Sequence, residues 1–181
     1  MSISSRIRAL AVALAFVLCA AMLLAPELRS TQSGGSNAEK AADPWTSAQV
    51  LHAAEFAGEL GGAKGADSPI IFYVGFHTLF EGGHIPGASF YGTASKEEGL
   101  RDLKKSVVAL PRSANLVIYC GCCPFDKCPN IRPAYKALNE MGFSHVRVLV
   151  LPTTFAADWV EKGYPMQKGF EKVNGTLKKP M

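Results

Sequence analysis

Four apolar runs too short for helices alternate along the chain with stretches of helical spacing, and that alternation predicts an α/β fold. Ile70 to Val74, Ser89-Phe90-Tyr91, Leu116 to Tyr119 and His145 to Val150 read as strands. Between them fall the helices. Thr46 with Gln49 reads as a capping box opening a helix to about Leu60, with Val50, Ala54, Ala57 and Leu60 inward and Gly61-Gly62 as its stop. Thr78 to Glu81 suggests a single helical turn. Ser95 with Glu98 reads as a second box, opening a helix through Leu100, Leu103, Val107 and Leu110 that Pro111 ends. Asn130 predicts the N-cap of a helix carrying Ile131, Tyr135, Leu138 and Met141, stopped by Gly142. Phe155 to Lys162 reads as a short closing helix with Phe155, Trp159 and Val160 inward.

The first 44 residues break this pattern. Ala9 to Ala25 is uninterruptedly apolar behind Arg6 and Arg8, so residues 1–25 read as a targeting segment. Two readings stay open: a cleaved export signal, or a retained membrane tether through residues 9–25. Both place the domain outside the cytoplasm, periplasmic or secreted. Residues 26–44 are small and polar, as a flexible linker is, the domain proper spans 45–169, and 170–181 reads as a tail. The formal charge of the 181 residues is +4; Arg6, Arg8 and Arg29 against Glu27 leave about +2 for the remainder. With no basic run or interleaved aromatic patch, nothing points to nucleic acid.

The chemistry concentrates where the strand Leu116 to Tyr119 stops in Cys120-Gly121-Cys122-Cys123-Pro124-Phe125-Asp126-Lys127-Cys128-Pro129. Strand, loop and helix in that order set the loop at the carboxyl edge of a parallel sheet, where α/β folds carry their sites. The unpaired amides at the mouth of the next helix favour an anion, a thiolate included. Cys120 is the first-choice nucleophile and Cys123 the second. Lys127, Arg132 and Asn130 are candidate contacts for an anionic substrate, while Cys122, Cys123 and Cys128 are candidate resolving thiols.

Gly83-His84-Ile85-Pro86-Gly87-Ala88 after a strand and a short helical turn resembles the rhodanese (sulfurtransferase) superfamily. The closing stretch Phe155 to Pro165, with its Trp159 and Gly163-Tyr164-Pro165 turn, resembles that family too. The resemblance covers about residues 45 to 169. It implies a single rhodanese-like domain with a mainly parallel central sheet flanked by helices, and a persulfide on Cys120 loaded from thiosulfate or a similar sulfur anion. It implies no cofactor, a structural role for His84, and an acceptor thiol that the sequence does not name.

The departures are equally specific. Eleven residues separate Cys120 from Arg132, where the family has a short cradle, and Tyr73-Val74-Gly75 stands where Asp-Val-Arg is usual. Two further readings follow from the extra sulfurs. One is thiol–disulfide chemistry, with Cys123–Cys128 the least strained pairing. The other is Cu(I) or Zn(II) held by Cys120, Cys122, Cys123 and Cys128. No cysteine has an arginine at the spacing a cysteine phosphatase needs, which excludes that chemistry.

Overall fold

The computed structural model describes residues 42–62 and 68–169, together with the backbone of 172–173 and 176–177. The expected targeting segment at 1–25, linker residues 26–41 and most of the tail lie outside the described residues. No helix among the described residues is long and apolar enough to cross a membrane.

Five strands make one sheet: β1 (Val50–His52), β2 (Ile70–Tyr73), β3 (Ala88–Phe90), β4 (Leu116–Tyr119) and β5 (Val146–Val150). Their order is β1-β5-β4-β2-β3, and every neighbouring pair is parallel. The helices are α1 (Ala53–Gly62), α2 (His77–Gly82), α3 (Glu97–Val107) and α4 (Ile131–Glu140). This α/β arrangement agrees with the fold that the sequence resemblance implies.

β4 is the middle strand and is buried at all four positions. Side chains alternate along a strand, so its two sides serve two cores. Leu116, Ile118 and then Cys120 face α3 and α4, packing with Leu103, Val107, Ile131 and Leu138. Val117 and Tyr119 face the other way, into a core with Phe56, Phe80 and Trp159. The period of two therefore aims the Cys120 sulfur at the α4 side of the sheet.

Three local expectations give way to tertiary packing. The helix read from Thr46 is split: the Thr46–Gln49 box closes on a 3-10 turn, Ser47–Gln49, and the chain then extends as β1. The exposed edge of β5 takes Val50, Leu51 and His52 as ladder partners, burying Leu51. With helix α1 starting later, Phe56 becomes the buried anchor and Ala54 lies exposed. The Ser95–Glu98 box does not form, because the Ser95 amide donates to Asn130 Oδ1 at 2.9 Å and Lys96 sits at the helix start without a side-chain cap. The closing segment is a single π turn, Ala156–Val160, which buries Trp159 but leaves Val160 exposed. Beyond it Lys172–Val173 and Thr176–Leu177 pair as two short antiparallel strands, where the sequence suggests a plain tail.

His84 has the structural role expected of it. It is buried and stacks on Phe80 at 3.8 Å; its Nδ1 donates to the Phe80 carbonyl at 2.8 Å, while Nε2 accepts from Gln167 Nε2 at 2.9 Å. Burial holds its pKa below the usual imidazole range, so the ring stays neutral.

Arg147 on β5 grips Glu59 on α1 with two hydrogen bonds, 2.6 and 2.7 Å, and also donates to Asn115 at 3.0 Å. The hydrogen bond from Arg147 holds the Glu59 carboxyl below its ordinary pKa, so this pair stabilises the fold above the unfolded carboxylate pKa and weakens as pH falls through the folded one. Glu59→Gln is expected to lower stability by about 1 kcal/mol at pH 7, the pair being partly solvated. Urea midpoints of parent and variant should converge below about pH 4.

Candidate functional site: a thiol cluster at the sheet edge

The cysteine loop leaves β4 through Gly121, whose φ is +68°. Its carbonyl accepts the Phe155 amide at 2.9 Å, and a Cβ there would lie 2.7 Å from Phe155 Cβ. Both the left-handed backbone and the close approach require glycine. The loop then docks on the segment after β5, with the Phe125 amide donating to the Pro152 carbonyl at 3.2 Å. A 3-10 turn at Phe125–Lys127 carries the chain back toward α4.

This path folds three sulfurs together. The Sγ atoms of Cys120, Cys122 and Cys128 all lie within 4.8 Å of one another. Cys120 Sγ is 3.1 Å from Cys122 Sγ, which is 3.3 Å from Cys123 Sγ. All four loop cysteines are free thiols. Cys120 and Cys128 are 2% and 4% exposed, whereas Cys122 and Cys123 are half-buried.

Asn130 braces the cluster rather than capping the helix. It is fully buried, with helical backbone angles and no side-chain cap hydrogen bond. Its Nδ2 points at Cys120 Sγ, 3.4 Å away, and at Cys122 Sγ, 3.7 Å away, while Oδ1 accepts from Ser95. A side chain committed to two sulfurs and a backbone amide is a scaffold element.

Burial and the neighbouring donors pull the loop thiols in opposite directions. The Cys128 thiol is lowered to about 6 by a hydrogen bond from the Cys120 thiol and by the main-chain amides of Asn130 and Ile131, which outweigh burial. Main-chain amides at the mouth of a helix favour the ionised form of a thiol. The same hydrogen bond and burial push Cys120 far up, so it keeps its proton. Cys123 is pushed up to about 12, chiefly by burial.

The lowered Cys128 thiol has a pH signature. Cys128 titrates at about 6 folded against an ordinary 9.0, so its contribution to stability is complete above pH 9 and is lost as pH falls through 6. The difference in urea midpoint between the parent and Cys128→Ser is expected to widen from pH 6 to 9 and then level off.

Arg132, the expected anion contact, makes its hydrogen bonds to Asp43 and to main-chain carbonyls of the loop. Its Nε and Nη2 meet Asp43 Oδ1 at 2.8 and 2.6 Å, and its Nη1 donates to the Phe125 and Cys128 carbonyls at 3.4 and 3.5 Å. The guanidinium lies over Trp45 and Phe125, 5.7 and 5.9 Å from their ring centroids, so it pins the outer side of the loop. Lys127 is exposed on the loop surface, outside the triad of sulfurs.

Two contributors escaped the sequence reading. Tyr73 Oη and Cys120 Sγ lie 2.5 and 2.8 Å from the point that a Cβ on residue 75 would occupy, so Gly75 is what lets hydroxyl and sulfur pack together. The departure Tyr73-Val74-Gly75 was the available signal. Asp43 and Trp45, from the start of the described chain, close over α4 and the loop; Trp45 packs on Phe125 and Tyr135 at 5.8 and 5.4 Å.

No family model matches this chain, and no curated protein matches it. Among solved structures, the Alr3790 protein of Anabaena sp. is similar at 21% identity, over 66% of this chain and 92% of that one, with a TM-score of 0.49. The Rhodanese_3-like domain of Alr3790 is similar at 24% identity, over 55% and 99%, with a TM-score of 0.40. EanB, solved as a cysteine persulfide with ergothioneine, is similar at 20% identity over 65% of this chain but 27% of its own, with a TM-score of 0.42. All three likenesses lie below 25% identity and concern fold alone.

Proposed function

We propose that this domain is a sulfane-sulfur carrier of the sulfurtransferase kind, acting outside the cytoplasm, with Cys128 as the attacking sulfur and Cys120 as its hydrogen-bond donor. The observation that carries the reading is the gathering of the Cys120, Cys122 and Cys128 sulfurs within 4.8 Å of one another, between the end of β4 and the start of α4. Thiolate Cys128 attacks the outer sulfur of thiosulfate or a similar anion; a new S–S bond forms, the old one breaks, and sulfite leaves with the electron pair. The persulfide formed is anionic, and the helix-mouth amides that favour the thiolate favour it equally. An acceptor nucleophile then takes the terminal sulfur and returns the thiolate. Atoms and charge balance without oxidant, metal or organic cofactor.

The sequence resemblance supports this class of reaction, and a cysteine persulfide is the state in which EanB was solved. Cys122 and Cys123 are half-buried while Cys120 and Cys128 are buried, so an incoming donor meets the first two sulfurs before the others. Lys127, exposed on the same loop, adds positive charge at that approach.

The test is thiosulfate-to-cyanide turnover by the reduced full chain, with intact mass read after thiosulfate alone. One added sulfur atom per chain and thiocyanate release are the expected results. The absence of both a mass gain and turnover would sink the reading. Turnover that survives Cys128→Ser but not Cys120→Ser would return the nucleophile to the strand end.

A further inference from the structure

We infer that Cys120, Cys122 and Cys128 form a three-sulfur binding site for a single Cu(I) ion. Their Sγ atoms lie within 4.8 Å of one another, and Cys120 and Cys122 are only 3.1 Å apart. A metal–thiolate bond is about 2.3 Å long, so one ion placed among three sulfurs at these separations reaches all of them with small side-chain rotations.

The donor set selects the metal. It is all sulfur; no histidine or carboxylate belongs to the group. Thiolates favour soft cations, Cu(I) and Zn(II) among them. Structural zinc closes its shell with four ligands, and the fourth loop sulfur, Cys123, is not among the three that lie within 4.8 Å of one another, although it meets Cys122 Sγ at 3.3 Å. Three sulfurs with no fourth suit a trigonal monovalent ion.

The surroundings supply what such a site needs. Asn130 Nδ2 points at two of the sulfurs, at 3.4 and 3.7 Å. This outer donor fixes the orientation of those two ligands and offsets the negative charge that coordinated thiolates bring. Two of the three sulfurs are buried, which keeps water from the ion. Binding is a ligand exchange: Cu(I) enters already reduced, each ligating thiol releases its proton, and no electron moves.

The inference stands apart from sulfur transfer, although an ion on these sulfurs would silence that activity. The full chain, reduced and stripped of sulfane sulfur with cyanide, is titrated anaerobically with Cu(I) against a chromophoric chelator, beside Zn(II). One equivalent of Cu(I) per chain is expected, with three sulfur neighbours by X-ray absorption. Cys123→Ser should bind as the parent does. Cys120→Ser, Cys122→Ser and Cys128→Ser should each weaken binding at least about 100-fold while circular dichroism shows them folded. Where a buried variant loses its fold, the half-buried Cys122→Ser decides. No uptake, uptake indifferent to Cys122→Ser, a fourth sulfur contributed by Cys123, or Zn(II) held in preference to Cu(I) each overturns the inference. Thiosulfate turnover of the copper-free chain is read in parallel, and its absence leaves the copper result standing.

Discussion

Cys128→Ser is expected to lower thiosulfate-to-cyanide turnover at pH 7 by at least about 100-fold, the scale of loss when an activated nucleophile is removed. The same substitution should delete the lowest-pH step in the thiolate ultraviolet absorbance. In the parent that step is expected at about pH 6, because neighbouring donors lower the Cys128 thiol more than burial raises it. A serine hydroxyl in its place stays protonated throughout. Cys120→Ser is the informative partner. It removes a thiol that keeps its proton, so it should leave a thiolate on Cys128 with its titration moved upward, for want of the strongest donor. If the low-pH absorbance step disappears in Cys120→Ser and persists in Cys128→Ser, the assignment of the charge is reversed.

Gly121→Ala should be the most damaging single-atom change to the site. At φ +68° an L side chain costs about 1–2 kcal/mol in backbone strain alone. The new Cβ would also lie 2.7 Å from Phe155 Cβ and 2.9 Å from the Phe155 amide that donates to the Gly121 carbonyl. Phe155 has nowhere to retreat, since it stacks on Trp159 with centroids 6.3 Å apart and packs on Tyr119 at 5.8 Å. Strain plus the lost hydrogen bond and overpacking sum to about 3 kcal/mol or more. Gly142→Ala is the control: its φ is +85°, but nothing lies within 4 Å of the added carbon. It should lose only the backbone part, about 1 kcal/mol by urea denaturation. Equal losses at the two positions would mean that the contact with Phe155 is soft.

The sequence carried the parts of this molecule that depend on near neighbours. β4 is apolar for four residues and then stops in cysteine, and α4 shows its inward stripe, so the loop between them was legible as a site. β1 was not, because Val50, Leu51 and His52 also fit a helical stripe, and only the unpaired edge of β5 decides between the two. Arg132 could not be read from its own surroundings either, since its partner Asp43 is 89 positions away. Which thiol is most readily ionised depends on how three sulfurs and the start of α4 sit in space. Spacing along the chain narrows that choice to a loop and no further.

The close approach at residue 75 makes three positions one unit of inheritance. With Tyr73 Oη 2.5 Å and Cys120 Sγ 2.8 Å from where a methyl would go, no larger residue fits while both groups stay. A library randomised at 75 alone should return glycine. Opened at 73 and 75 together, it should return bulk at 75 only alongside a residue at 73 that has given up the phenol ring, which makes Gly75 and Tyr73 a pair that drifts jointly or not at all.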